Sequence, residues 1–422
     1  MAKIISQSAF EGYYGIEILG DLERLRLALD GIDDEELMRK LERSRGHGRD
    51  KFPVRVMWNL IIAMKVFGHL TVESFRRELD RNPTLARICG LRCAPGSAHV
   101  APPARVFSGF IKRLKKEQAE IDHMFAGQVA ELRELLPDFG KTVAGDGKYI
   151  DSIAKKPAKE MDETDDRSES DAKFSLKEYH YTGTDGKPHV KKETHFGFKA
   201  HVICDVETEL PIAFSVTAAN ADEKAQMKTL INSLPPEQQE QIGYVLLDRG
   251  YDSTEMIRCI KGIGAAPVID IRNLWKDKEE TKQYKDTKII YTFNGAVYYE
   301  DDDGKHKMAY EGFDRQKKCL RYSYKGKTYK IYISYDERVF LPVARDSMKF
   351  ERLYKARTTV ERLNSRLDRD YMFEDHFIRG LDKMKLMVSL SFVIMNGMAL
   401  EKIKRGVDSI RSLKRAGPLP AA

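Results

Sequence analysis

The sequence predicts an α/β fold: a mixed sheet with helices on its faces, a β-rich insertion within it, and an all-α segment ahead of it. Three observations predict this. Apolar residues recur at helical spacing from about Phe52 to Lys116. At Lys141 the period changes to the alternation of strands, and the chain then runs strand, hairpin, helix, strand, helix, strand, an order packed most economically as a sheet covered by helices. From Trp275 to about Ser347 the pattern is β again, before helix returns.

The helical segment carries its own punctuation. Pro53 precedes VRVMWNLIIAMKVF, Thr71 is placed to cap VESFRREL, Asn82-Pro83 opens a short helix that Gly90 can close, and Pro102-Pro103 opens ARVFSGFIKRLKKEQ. In that last helix Val106, Phe107, Phe110 and Leu114 share a face, while Arg105, Lys112, Lys115 and Lys116 fall largely on others. A further amphipathic helix, about Gln118 to Leu136, leads out.

The sheet begins with KTVAGDGKYIDSIA. Residues 155–173 are nearly all charged or small and cannot bury a face, so they read as a mobile excursion. HFGFKAHVICDVET and LPIAFSVTAAN form an antiparallel hairpin by pattern, ADEKAQMKTLINSL a helix capped near Asn220, and QIGYVLLDRGYDS a short buried strand ending in an acidic turn. STEMIRCIKGIG reads as a helix ended by Gly262 or Gly264, and AAPVIDIRN as one more strand. After the β-rich insertion, one helix is expected over MKFERLYKARTTVERLNSRLDRDYMF and a last apolar one over DKMKLMVSLSFVIMNGMALEKI, before a loose basic tail. The expected division is 1–138 helical, 139–274 with 348–405 as the sheet core, 275–347 inserted, and 406–422 as tail.

Composition narrows the function classes. The 422 residues are 42% hydrophobic, which excludes wholesale disorder, and 72 Lys plus Arg against 65 Asp plus Glu give a formal charge of +7. A polyanion is the partner this lean favours. Five scattered cysteines, Cys89, Cys93, Cys204, Cys259 and Cys319, argue against a disulfide framework, and the C-x3-C pair lacks a second pair to complete a zinc site. The first residues show no apolar signal region, and the run Leu386 to Leu400 is short of the ~20 residues of a bilayer span. The expectation is a cytoplasmic protein with no membrane partner.

Chemistry is expected at three acids. Asp146 lies in a strand between two glycines, Asp248 ends the apolar run Tyr244 to Leu247, and Glu361 stands on a helix among Lys355, Arg357, Arg362 and Arg366. Ligands of such sheets gather at strand ends. Alone, a strand-end Asp is a common turn former or cap, and a Glu among arginines a common surface ion pair. Together, three carboxylates from two strands and a helix suit Mg2+ or Mn2+, and two such ions ~3.5–4 Å apart drive in-line phosphoryl displacement. His195 and His201 share one strand face, but nothing supplies two more ligands for zinc. The Cys89/Cys93 pair reads as buried thiols.

The run Gly145-Asp146-Gly147-Lys148, the pair HFGFKAHVICDVETELPIAFSVTAANADEKAQ, the turn Leu247-Asp248-Arg249-Gly250-Tyr251-Asp252 and Tyr354-x2-Arg357-x3-Glu361 together resemble bacterial insertion-sequence DDE transposases. More narrowly, they resemble the group with a Tyr-x2-Arg-x3-Glu signature and a β insertion before the catalytic Glu. The resemblance spans about Lys141 to Leu400, and the helical segment is similar to the domain preceding many such cores. It implies a ribonuclease-H-like core in which Asp146, Asp248 and Glu361 are both catalytic and metal-binding, holding two Mg2+ or Mn2+ ions. It implies cleavage of double-stranded DNA at the terminal inverted repeats, joining of the 3′-OH ends to target DNA, a homodimer in synapsis, and a place at the bacterial nucleoid.

Tyr354 and Arg357 match positions that handle phosphate near the cut. The family often has Lys or Arg seven residues after the Glu, whereas this chain has Asp368, with Arg366 and Arg369 beside it as the DNA-binding substitutes. Trp275 matches an aromatic that stacks a displaced base, a contact worth ~1–3 kcal/mol, although a lone Trp also reads as core. The alternatives are a transposase-derived DNA-binding protein without cleavage, and a metal-dependent nuclease without strand transfer.

Overall fold

The computed structural model describes residues 20–46, 51–91, 101–154, 169–182, 187–276 and 279–407. Seven helices precede the first described strand: α1 (Glu23–Asp30), α2 (Glu35–Arg45), α3 (Val54–Val66), α4 (Val72–Arg81), α5 (Pro83–Ile88), α6 (Ala104–Lys116) and α7 (Gln118–Leu135). Their starts follow local chemistry. Thr71 accepts from the Ser74 amide and Asn82 from the Leu85 amide, both as N-caps, and Pro53 and Pro103 stand immediately before α3 and α6. Sequence pattern alone does not mark α1 and α2. Both are short and rich in charge, and α2 is pinned at its start by the buried Arg55, which pairs with Asp34 and with Glu35 at 2.8 Å.

The sheet is built from β1 (Thr142–Asp151), β2 (Lys173–Thr182), β3 (Pro188–Asp205), β4 (Pro211–Ala218), β5 (Tyr244–Leu247) and β6 (Ala266–Ile269), in the order β2-β3-β1-β5-β6 with β4 also on β3. β1 is antiparallel to β3 and parallel to β5, which is parallel to β6. The mixed α/β class is therefore as expected. The strand order needs one correction: β2 and the first half of β3 form an additional arm, paired from Lys173↔Gly197 to Thr182↔Pro188. The arm escaped the pattern reading because it is largely polar, and Phe174, Leu176 and Val190 stay exposed on it. Of the stretch 155–173 read as mobile, 155–168 lie outside the described residues. Its described end is anchored, with buried Glu169 accepting from Ser152 and from the Gly380 amide.

Three helices lie among these strands: α8 (Glu223–Ser233), α9 (Pro236–Gln241) and α10 (Thr254–Gly262). Asp222, not Asn220, caps α8, accepting from the Ala225 amide at 2.6 Å. The insertion forms two small sheets. One holds β7 (Thr281–Gln283), β8 (Ile289–Thr292), β9 (Val297–Asp301) and β10 (Gly304–Lys307), and the other β11 (Ala309–Asp314), β12 (Cys319–Tyr324) and β13 (Lys327–Tyr332). They share a core of their own around Tyr291, Val297, Leu320, Tyr322 and Phe340.

The helix expected over 348–373 is two, α11 (Met348–Ala356) and α12 (Thr358–Arg369), meeting at Arg357, whose backbone stays helical at φ −54. The last is α13 (Leu381–Lys404). By length and composition α13 could cross a membrane, but 83% of its apolar window is buried inside the fold. It packs on α1, α3, α6, α7 and β4, so the N-terminal helices and the sheet share one continuous core. The two sheet faces are distinct. Phe214 on β4 meets Phe392 of α13 and Phe125 of α7 on one face, while Gly145 of β1 lies against Met227 of α8 on the other.

Candidate active site

Strand register explains why Asp146 and Asp248 face one region. Ala144 and Leu246 are opposite each other on the adjacent parallel strands β1 and β5. Asp146 and Asp248 each lie two residues further on. An even offset keeps both side chains on the same face, and neighbouring strands run ~4.8 Å apart. Each acid thus sits just beyond the last parallel pairing of β1 with β5. The glycines flanking Asp146 serve the opposite face: a Cβ on Gly145 would meet Met227 and Leu247 at 2.9 Å, and one on Gly147 would press on Lys199 and Glu223.

Burial pushes the Asp146 carboxyl up to about 6; the Gly147 amide opposes this, Asp248 and Glu223 reinforce it, and Arg357 opposes it. A carboxylate out of water with like charges around it is a group that a cation would stabilise. Asp248 also performs the common role of its position, capping the tight helical turn Arg249–Tyr251 by accepting from the Gly250 amide at 2.7 Å.

The third acid arrives on α12, whose face towards β1 presents Glu361, Asn364 and Asp368 at helical spacing. Asn364 reaches Asp146 at 3.5 Å, and Asp368 pairs with Lys148 at 2.6 Å. Glu361 itself is exposed and paired with Arg357 at 2.7 Å. Among the described residues, no three of His, Cys, Asp and Glu are grouped closely enough to hold a metal ion. The structure therefore brings α12 to Asp146, while Arg357 occupies the carboxylate of Glu361 and acts electrostatically on Asp146. Carboxylate oxygens are the donors a divalent ion takes, but in this arrangement Glu361 is held by Arg357 and the three acids are not gathered around one position.

Tyr354 stacks on Phe350 at 5.6 Å, with the Arg357 guanidinium 5.8 Å from its ring. Arg369 is exposed. Arg366 is turned inward, donating to the Glu209 carbonyl. Trp275 packs edge-on against Tyr291 at 5.9 Å, with Lys282 over its ring at 4.8 Å. His195 stacks on Tyr149 and meets Asp151 at 3.0 Å, and buried His201 meets Thr217. Cys89 is buried, and Cys93 lies outside the described residues.

Sequence reasoning missed several neighbours of the acids. Glu223, at the start of α8, is paired with buried Lys199 at 2.7 Å. Tyr251, three residues after Asp248, is 1% exposed. The Gly-Asp-Gly-Lys and Asp-Arg-Gly-Tyr runs hold Lys148 and Tyr251 in plain view, but their partners are distant in the chain and local pattern does not reveal them.

A family model described as "Transposase DDE domain" matches residues 154–396, more than half of the chain. The matched span contains Asp248, Tyr354, Arg357 and Glu361 and begins just after β1. No curated protein matches the chain. Among solved structures, a piggyBac transposase synaptic complex with hairpin DNA, determined by cryo-EM, is similar with 12% identity and a TM-score of 0.40, over 94% of this chain and 78% of that one. That likeness is too remote to bear on the fold.

Proposed function

The chain belongs to the transposase DDE domain family, and from that premise we propose that it cuts double-stranded DNA at the terminal inverted repeats of an insertion sequence and joins the 3′-OH ends to target DNA. The observation that carries the reading is the register of β1 with β5, which sets Asp146 on β1 and Asp248 just after β5 two residues beyond the paired Ala144 and Leu246, with α12 docked against Asp146 through Asn364. The order β4-β3-β1-β5-β6, with β1 central and antiparallel only to β3, supports a ribonuclease-H-like core. Tyr354, Arg357 and Glu361 in the Tyr-x2-Arg-x3-Glu spacing support the bacterial insertion-sequence group.

In this reading Asp146, Asp248 and Glu361 hold two Mg2+ or Mn2+ ions. When bound, these supply activation of the attacking oxygen and stabilisation of the leaving one. The chain's own work is placement. Arg357 leaves Glu361 and turns its planar donor fork to a phosphate, a geometry that suits Arg better than Lys. Asn364 keeps Asp146 aimed towards Asp248, and Tyr354 and Arg369 line the DNA path along α11 and α12. Trp275 stacks a displaced base at the root of the insertion. Arg366 fixes the Glu209 turn beneath α12 and so supports the DNA-facing surface from within. Residues 1–138, with exposed Arg105, Lys112 and Lys116 on α6, bind the element ends. The active form is a homodimer on two ends, at the nucleoid.

The test is a supercoiled plasmid carrying the flanking repeats, incubated with Mg2+. Excised and joined products are expected. Nicking alone indicates a nuclease without strand transfer, and a mobility shift without cleavage a DNA-binding protein. Asp248→Asn is expected to lower cleavage below detection while DNA affinity stays within about two-fold, since removing one charge from a metal site leaves phosphate contacts in place. Retained cleavage by this variant overturns the role given to Asp248.

A further inference from the structure

A cavity of about 240 Å3 lies where α3 and α6 meet α13 and the loop that follows α12. Ile61, Met64, Ile111, Ile378 and Met387 give it apolar walls, and Lys65, Lys383, His69 and His376 line it as well. Among the described residues, no Asp or Glu lines it. A cavity of ~150 Å3 with apolar walls takes up benzene, so this one has room for a ring with a short substituent. Its polar groups decide which substituent.

His376 is fully engaged: Nε2 donates to the Asp151 carbonyl at 3.0 Å, and Nδ1 accepts from the Ile378 amide at 3.1 Å. His69 meets the Ser74 hydroxyl at 3.4 Å through Nδ1. Burial holds both rings below their ordinary range, which leaves the two lysines as the cations of the cavity at pH 7. Lys65 is 8% exposed, and among the described residues the acceptor it reaches is the Tyr371 carbonyl at 3.1 Å, with the Phe373 ring 4.4 Å away. An ammonium has three donors, so donors remain after that bond is made. Buried charges in folded proteins are ordinarily paired, and here a carbonyl and a ring stand where a carboxylate is the usual partner. Lys383 adds a second ammonium, pushed down by burial and then by Lys115.

We propose that this cavity binds a small carboxylate with an apolar body, the body against Ile61, Met64 and Met387 and the carboxylate on the Lys65 ammonium. The bond is charge-assisted and lies out of water, where such bonds are strongest. A free phosphate suits the place less well, because its several oxygens need more donors than two lysines supply and it has nothing to set against the apolar walls. The cavity shares no residue with Asp146, Asp248 or Glu361, so the inference stands apart from the cutting reaction.

The probe is 3-phenylpropionate, with 3-phenylpropionamide as its uncharged counterpart. Each is titrated by calorimetry at pH 7 into the full chain and into Lys65→Met, and methyl NMR follows Met64 and Met387 in the wild type. Saturable binding of the acid is expected, with the amide bound ~10–100-fold more weakly and the acid bound by Lys65→Met weaker by a similar factor, the usual loss when a hydrogen bond to a charged group goes. The Met64 and Met387 methyl signals are expected to shift as the acid binds. Lys65→Met is expected to melt no lower than the wild type, since it removes a buried charge; should it melt lower, the acid-to-amide ratio and the methyl shifts of the wild type decide. Equal affinity for acid and amide, equal affinity of a stable Lys65→Met and the wild type, shifts confined to other methionines, or no saturable uptake by the wild type each overturns the inference.

Discussion

Lys65 shows how far a single residue can depart from expectation. It lies on α3 in the helical segment, where a Lys reads as a solvated position, yet it is buried, donates to the Tyr371 carbonyl at 3.1 Å and stands 4.4 Å from the Phe373 ring. Burial pushes its ammonium down to about 7, although the ring and the carbonyl favour the charged form. In the unfolded chain it titrates near 10.5. Between these values the unfolded state binds more protons than the folded one, so stability rises with pH across that window, by at most about 1.4 kcal/mol per pH unit. Below about 7 both states are charged and the cost of burial is fully expressed. Lys65→Met is therefore expected to stabilise the protein most at pH 6, with the gain over wild type shrinking towards pH 10; denaturant midpoints at the two pH values measure it. A gain independent of pH would mean the ammonium stays charged in the fold. The placements of Asp146, between two glycines within β1, and of Asp248, directly after β5, were legible from local sequence. Asn364, Lys148 and Glu223 were not, because each earns its place through contacts from elements distant in sequence.

Elements were readable where a chain segment buries one face and caps itself. The starts of α3, α4, α5 and α6 follow from Pro53, Thr71, Asn82 and Pro103, and β3, β4, β5 and β6 from their apolar runs. The arm of β2 was not, because its pattern lacks a continuous buried face, and the join of α11 to α12 falls at an arginine that neither breaks nor caps by type. The insertion shows how an element is fastened to its host. Asp252 is buried in the turn after Asp248 and takes the Arg338 guanidinium at 2.6 Å, while the Arg272 amide donates to it at 3.0 Å, so one carboxylate clamps both ends of 275–347. Arg338→Ala would leave that carboxylate buried with its main cation gone. Such a loss costs about 3–5 kcal/mol, and the expected outcome is a lowered unfolding midpoint with early exposure of insertion tyrosines. An unchanged midpoint, read by urea unfolding, would mean that the insertion is held by its apolar contacts alone.

At the scale of the whole molecule, the order of segments was legible and the distribution of the core was not. Helical spacing separates 52–116 from the strands after 141, but only packing shows that α13 serves both, touching α1, α3, α6 and α7 as well as β4. Gly31 beside α1 and Gly397 of α13 touch so closely that a Cβ on Gly31 would overlap the Gly397 carbonyl. A shared core of this kind ties the helices proposed to hold DNA ends to the sheet proposed to cut them. In the proposed reading β1, the end of β5 and α12 form one ion-binding centre despite their separation in the chain. Replacing Mg2+ by Fe2+ in the presence of ascorbate and peroxide generates hydroxyl radicals at the bound ion, which cut the polypeptide nearby. Cleavage is expected at three places, around Asp146, Asp248 and Glu361, suppressed by excess Mg2+. Cuts near the two aspartates with none on α12, in the presence of DNA ends as well as without them, would contradict it.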